Sequence, residues 1–302
     1  MLVLFLLGIT INGFIVVTFC LEWVTNKNLN DTDIILMCLG MTRFFWHLFF
    51  VLLFLPNIVP AVFNVFYGMA TFLNWSSLWI VSVLCVIYCV KISNYTNFAF
   101  MYVKLRISKM VKWLILASLL SSLTFTLLFW FVWEDYTFTL NNSTTVALQN
   151  DTETYTDTEQ GFSSTFFIYY LATVLPFVIF CVAVLLLIHS LLIHTQQMKS
   201  SATGLGRSHM GAHLSVLKKM VFSLVLYVVY FINNSLASFQ NLSYETVWQM
   251  IYFIVDAFYP SAHSIFLIYS DGKLKKAILV IYHGATGCIK NNKQSPETSN
   301  PD

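Results

Sequence analysis

The sequence predicts an all-α integral membrane protein, a bundle of seven transmembrane helices with the amino terminus outside the cell and the carboxyl terminus in the cytoplasm. Three observations predict it. Hydrophobic residues make up 58% of the 302 residues and charged residues only 10%, with a mean hydropathy of +0.72; soluble domains run near roughly 45–50% and 25%. Seven stretches are apolar over the roughly 20 residues that a helix needs to cross about 30 Å of hydrocarbon. Every Lys and Arg except Arg43 falls in segments that alternate along the chain and so share one side of the bilayer. A soluble enzyme and a disordered chain are excluded, and a net charge of +2 provides no field for nucleic acid.

The spans are expected at about 2–21, 33–55, 69–91, 111–133, 164–193, 215–238 and 247–269, which makes 1–270 one transmembrane domain and 271–302 a cytoplasmic tail. The first stretch lacks a basic leader and a small-x-small cleavage site, so it reads as a span rather than a cleaved signal. Lys27 follows it. From Phe44 to Val90 there is no Asp, Glu, Lys or Arg, so a turn must sit inside that run; Pro56, Asn57, Pro60 and Asn64 mark it. Lys91, Lys104, Arg106, Lys109 and Lys112 lie around the loop between spans 3 and 4. The loop between spans 4 and 5 carries Glu134, Asp135, Asp151, Glu153, Asp157 and Glu159 and no cation. Lys199, Arg207, Lys218 and Lys219 lie between spans 5 and 6, and five lysines follow span 7. The positive-inside rule puts these basic segments in the cytoplasm and the acidic loop outside. A short amphipathic helix, Leu274 to Ile281, is expected along the inner leaflet.

Six cysteines are present, Cys20, Cys38, Cys85, Cys89, Cys181 and Cys288, and none falls in an outer loop, so no disulfide framework is expected. Cys288 reads either as an acylation site or as a plain free cysteine. Asn141, Asn142 and Asn150 form sequons in the acidic outer loop, where a glycan can be attached. The sequons at Asn30 and Asn94 face the cytoplasm, and those at Asn74 and Asn233 lie too close to lipid.

No cofactor or metal site is expected. His209 and His213 have the i, i+4 spacing of two ligands, but no carboxylate stands beside them and no third ligand is evident. Gly161-Phe-Ser-Ser lacks the second glycine of a nucleophile elbow, and Gly204-Leu-Gly206 has no strand before it.

The informative residues are polar ones held in lipid. Arg43 lies about ten residues into span 2, roughly 15 Å deep by helical rise. Asn12 sits at comparable depth in span 1, and His263 and Ser264 follow Pro260 in the inner half of span 7. A cluster of Arg43, Asn12, His263 and Ser264 tying spans 1, 2 and 7 is expected, against the alternative that Arg43 snorkels to the surface. Asp256 is the one carboxylate expected within the outer half of the bundle.

The usual rhodopsin-like signatures are missing. Span 3 ends in Tyr88-Cys-Val-Lys91 rather than Asp-Arg-Tyr, span 6 has no proline, and span 7 reads Pro260-Ser-Ala-His-Ser264 rather than Asn-Pro-x-x-Tyr. These replacements, together with Asn12-Gly-Phe-Ile15, Leu39-Gly-Met-Thr-Arg43, Leu78-Trp79, Tyr88, Lys91, Ile92, Asn94, Leu105-Arg106, Leu175-Pro-Phe177, Ser190-Leu-Leu-Ile-His194 and Lys273-Leu-Lys275, resemble the bitter taste receptors (type 2 taste receptors). The match runs in order over nearly the whole chain. Ser93 and Asp271 depart from the family pattern and suggest a divergent member. The vomeronasal type 1 pheromone receptors are the nearest rival, against which the Pro-Ser-x-His-Ser run argues.

The resemblance implies a plasma-membrane, G-protein-coupled receptor without catalytic activity. It implies small, often apolar or basic bitter ligands between the outer halves of helices 3, 5, 6 and 7, and a gustducin-type heterotrimeric G protein as partner. Trp79 matches the family's pocket tryptophan. Val83 is its expected neighbour, and Tyr227, Tyr230, Phe253 and Asp256 are expected lining residues; the competing reading is that these rings only pack the bundle. Lys104, Arg106, Lys109, Lys218 and Lys219 are expected to face the G protein, although topology alone also requires cations there. A transporter or channel would show internal repeats, matched broken helices or rings of charge, and none is found.

Overall fold

Lipid offers a backbone no hydrogen-bond partner, so each apolar stretch satisfies its own N–H and C=O groups as a helix. The computed structural model describes residues 2–54, 59–93, 98–146, 151–200, 206–239 and 246–294, and the side chains of most of them. They form α1 (Leu2–Asn26), α2 (Asp31–Leu53), α3 (Pro60–Ile92), α4 (Phe98–Val146), α5 (Asp151–Ser200), α6 (Gly206–Phe239), α7 (Thr246–Ser270) and α8 (Gly272–Gln294). Among the described residues there is no strand. Six helices contain a segment long and apolar enough to cross a membrane, and α6 adds the shorter apolar stretch Met220–Leu236.

Local chemistry sets the helix ends. Lys27 adopts φ 51° just past α1, and its N–H returns to the Trp23 carbonyl at 2.8 Å; this left-handed cap is more often glycine's task. Asp33, in the first turn of α2, accepts the Asn30 N–H at 3.1 Å. Asp271 Oδ1 caps α8 by accepting the N–H groups of Lys273 and Leu274 at 2.9 and 3.0 Å. The turn expected through Asn64 ends earlier, because Pro60 opens α3 and Asn64 lies inside it. A proline in the first helical turn needs no N–H partner and has its φ preset, so a turn signal also serves as a helix start. The helix after α7 likewise runs beyond the expected Ile281, to Gln294.

Neighbours in sequence are neighbours in space. α1 packs on α2 and α7, α2 on α3, α4 on α3 and α5, and α6 on α5 and α7. α3 also packs on α5 and is the most deeply buried of the spanning helices, whereas α1 and α4 turn most of their surface outward. The main core runs along α3 from Trp75 to Val90, with Phe180 and Val184 of α5 and Tyr227 and Tyr230 of α6 against it. A smaller cluster of Phe5, Trp46, Ala70, Leu73 and Ala257 joins α1, α2, α3 and α7 away from the α8 end. The buried candidate side chains below sit between packed helices.

Candidate functional site

Arg43 is 1% exposed, so its guanidinium stays inside the bundle and does not snorkel. Nε donates to Ser77 Oγ of α3 at 3.1 Å. Nη1 donates to Ser264 Oγ at 2.9 Å and to His263 Nδ1 at 3.0 Å, which uses both of its hydrogens; the Pro260 carbonyl at 3.4 Å is a weak third contact. Ser264 Oγ passes its own proton to Asn12 Oδ1 at 2.7 Å, and Asn12 Nδ2 donates to the Gly8 carbonyl at 2.8 Å. The chain of bonds thus joins α2, α7 and α1. These oxygens and one ring nitrogen replace water for Nε and Nη1 of a buried guanidinium with no carboxylate beside it, and Nη2 is left without a partner.

His47, one turn along α2, extends the same network. Its ring nitrogen Nδ1 donates to the Arg43 carbonyl at 2.6 Å, and Nε2 lies 3.2 Å from Ser261 Oγ of α7. Gly8 makes room for that ring, since a Cβ on Gly8 would stand 2.1 Å from His47 Nε2.

Away from α8, the aromatic residues of α3, α6 and α7 meet. Tyr230 stacks on Tyr259 with ring centroids 4.5 Å apart, and Tyr227 packs on Phe180 and Phe177 at 4.8 and 5.3 Å. Tyr230 donates its hydroxyl proton to Asn74 Oδ1 at 3.0 Å, and Tyr169 donates to Asn234 Oδ1 at 2.6 Å. Val83 lies in the core beside this group. Phe253 meets Tyr252 at 5.4 Å and Phe50 of α2 at 6.4 Å. Trp79 is half-buried. Polar atoms here are left over: Trp75 Nε1, Trp79 Nε1, Tyr227 Oη, Tyr259 Oη and Asp256 Oδ1 are buried with no hydrogen-bond partner. Buried polar groups are normally paired, so a concentration of unpaired ones needs an explanation.

A cavity of about 160 Å³ opens at the α8 end, lined among others by Tyr88, Ile92, Met220, Ser223, His263 and Phe266. None of the six residues expected to bind ligand lines it. His263 forms its inner wall and reaches Ser223 Oγ of α6 through Nε2 at 2.8 Å. The basic residues expected on this face have varied settings. Lys104 Nζ donates to the Ser93 carbonyl at the end of α3 at 2.8 Å, and the Arg106 guanidinium lies 4.6 Å from the Tyr102 ring. Lys109 and Lys218 are exposed, while the side chain of Lys219 lies outside the described ones. Lys273 bridges Glu22 at 2.6 Å and Asp33 at 2.7 Å, and Lys91 meets Asp31 at 3.0 Å.

A family model described as taste receptor protein (TAS2R) matches residues 1–285. The chain belongs to the taste receptor family. Among its relatives, human taste receptor type 2 member 2 is 30% identical over 292 residues, covering 90% of this chain and 91% of that one. Taste receptor type 2 member 1 of Chlorocebus aethiops is 32% identical over 279 residues, covering 90% of each. Chicken (Gallus gallus) taste receptor type 2 member 40 is 29% identical, covering 94% of this chain and 93% of its own. The family is one of multi-pass, G-protein-coupled bitter taste receptors of the plasma membrane, so this taste receptor chain is a receptor rather than an enzyme.

In this taste receptor chain, Pro260-Ser-Ala-His-Ser264 supplies a carbonyl, an imidazole and a hydroxyl to Arg43, with Ser261 beside His47. Sequence reading did not single out His47, Ser77, Trp75, Tyr259 or Ser223. The first three lie in the uncharged run from Phe44 to Val90, where one further polar or aromatic residue carries no signal of its own. Asn141 and Asn142 lie on α4, but their side chains, like Asn150 as a whole, lie outside what is described.

Proposed function

We propose that this chain is a bitter taste receptor that binds small, often apolar or basic compounds among α3, α5, α6 and α7, on the side of the bundle away from α8, and activates a gustducin-type heterotrimeric G protein. The observation that carries this reading is the set of buried, partnerless polar atoms on α3, α6 and α7, set among rings, in a chain of the taste receptor family. Trp79, Val83, Tyr227, Tyr230, Phe253 and Asp256 are the proposed ligand residues. An agonist shifts such a bundle only by binding one arrangement more tightly than the other, and a tenfold preference corresponds to about 1.4 kcal/mol.

The amino terminus and the loop between α4 and α5 face outward in this reading, with the tail and α8 in the cytoplasm. Asn141, Asn142 and Asn150 carry glycan. Lys109, Lys218, Lys219 and Arg106 border the G protein. Lys104 serves first to cap α3, since its ammonium sits at the negative end of that helix. Arg43, Asn12, His263 and Ser264 hold α1, α2 and α7 together and bind no ligand.

The test is a panel of bitter compounds applied to cells that express the receptor with a gustducin-type α subunit, read as calcium or cyclic-nucleotide change. A concentration-dependent response that requires both proteins is expected. Compound-dependent ion or solute flux without the G protein would place the chain among transporters or channels instead.

A further inference from the structure

Asp256 is 4% exposed and lies on α7 within the membrane. Its Oδ1 has no hydrogen-bond partner. Two nearby hydroxyls donate to other acceptors, Tyr230 to Asn74 Oδ1 and Tyr169 to Asn234 Oδ1, while the Tyr230 hydroxyl also lies within hydrogen-bonding reach of the Asp256 carboxylate, whose Oδ1 still has no partner. Arg43, the cation deepest in the spans, directs its Nε and Nη1 to Ser77, His263 and Ser264, and its Nη2 is buried without a partner. The ion pairs Lys91–Asp31, Lys273–Glu22 and Lys273–Asp33 lie at the α8 end.

A second feature comes from the backbone. Pro260 stands four residues after Asp256 inside α7, and proline has no N–H to return to the carbonyl four residues before it. The Asp256 carbonyl therefore loses its ordinary helical donor at the residue whose carboxylate is also short of one. The surroundings are aromatic. Tyr67, Tyr169, Tyr230 and Tyr252 lie within electrostatic reach of the carboxylate. Acceptor oxygens ringed by aromatic groups match an ammonium, whose N–H groups need acceptors and whose charge is attracted to ring faces. A bare carboxylate in a low-dielectric interior is costly, and a paired one is not.

We propose that Asp256 is the anchor for a positively charged organic amine, so that this receptor is tuned toward protonated or quaternary amines. The inference rests on the receptor reading above and deepens it by naming the ligand class. A protonated amine donates its N–H to the free carboxylate oxygen of Asp256, with the carbonyl released by Pro260 and the Tyr230 ring beside it; a quaternary amine, which has no N–H, is held there by charge and ring faces alone. An agonist that supplies this charge relieves the unpaired group, and that difference between occupied and empty bundle is what it can use to shift the receptor.

The test uses matched sets of compounds on the full-length receptor in cells, at equal surface expression: tertiary amines, their N-methyl quaternary salts and neutral amide analogues of the same shape. The wild type should respond to the amines and quaternary salts at concentrations at least tenfold lower than to the amides. Asp256→Asn should lose tenfold or more in potency toward the charged compounds and less than threefold toward the amides, while Asp256→Glu should retain the preference for charge. Equal loss for charged and neutral compounds, or no loss for either, overturns the proposal. So does a wild type that responds to neutral compounds alone, an outcome that leaves the receptor reading standing. A thermal shift of the purified receptor on adding sodium, abolished by Asp256→Asn and unaccompanied by any amine preference, would give the site to an inorganic cation and overturn the proposal as well.

Discussion

The Arg43 guanidinium and the His263 imidazole meet Nη1 to Nδ1 at 3.0 Å. A guanidinium can only donate, so Nδ1 accepts and the ring proton sits on Nε2, where it is directed at Ser223 Oγ 2.8 Å away. One contact in the centre of the bundle thereby sets the tautomer of a histidine that forms a wall of the cavity at the α8 end. Through it the α1–α2–α7 cluster is linked to α6.

Arg43→Ala should leave Ser77, Ser264 and His263 with unmet hydrogen bonds and cost on the order of 1–3 kcal/mol. Lower surface delivery and a lower melting temperature of the purified receptor are expected. Arg43→Lys should recover only part of the loss, because an ammonium cannot reproduce the planar fork that reaches α3 and α7 together. Wild-type surface level, stability and basal signalling in Arg43→Ala would show that the network holds nothing.

Gly8→Ala should be disproportionately harmful for a single added methyl. The new Cβ would lie 2.1 Å from His47 Nε2 and 2.2 Å from its Cδ2. That ring is fully buried and flanked by Trp46 at 4.8 Å and Phe5 at 6.0 Å, so it has little room to move. Overpacking of this kind costs about 1–3 kcal/mol. Adding His47→Ala to Gly8→Ala should restore part of the lost stability, and a double variant no better than the single one would contradict the close approach.

The depth of a residue along a span is legible in sequence, and its direction around the helix axis much less so. Helical rise puts Asn12, Arg43 and Ser264 at matching heights, and hydrogen bonds do join them. The same rise says nothing about His47 or Ser77, because α2 and α3 are apolar on nearly every face and no polar stripe marks which way they point. Phe253 illustrates that ambiguity: it shares a turn of α7 with Asp256, and its ring meets Phe50 of α2 at 6.4 Å, a contact that the sequence does not mark. Pro60 and Asn64 mislead for another reason, since the residues that end a turn can also begin a helix. The all-helical fold needed only composition and the length of apolar runs, which lipid makes decisive.

Replacing Asn141, Asn142 and Asn150 together by Gln should collapse the glycosylated form of the receptor on a gel and lower its surface level. Replacing Asn30 and Asn94 should leave the band unchanged. A glycosidase-sensitive mass lost only with Asn94→Gln would invert the orientation assigned to the whole bundle.

The Lys273 ammonium is held above its ordinary pKa by its bonds to Asp33 and Glu22. A raised folded-state value means that its contribution is complete below the ordinary lysine range near pH 10.5 and fades only as pH rises through the higher folded value. Between pH 6 and 9, therefore, this group should add no slope to thermal stability. Lys273 is 40% exposed, so Lys273→Met should cost no more than about 1 kcal/mol. Asp33→Asn should cost more, because Asp33 also caps α2. Equal melting temperatures for the two variants would contradict the double role of Asp33.

A small molecule bound inside this bundle should drive nucleotide exchange on a G protein. The direct measurement is GTP exchange by a purified gustducin-type heterotrimer mixed with the purified receptor, with and without a compound active in cells. Exchange should be faster with the compound, at the potency seen in cells, and the response smaller when Trp79 is replaced by alanine. Exchange that the compound leaves unchanged, with receptor and heterotrimer both intact, would contradict it.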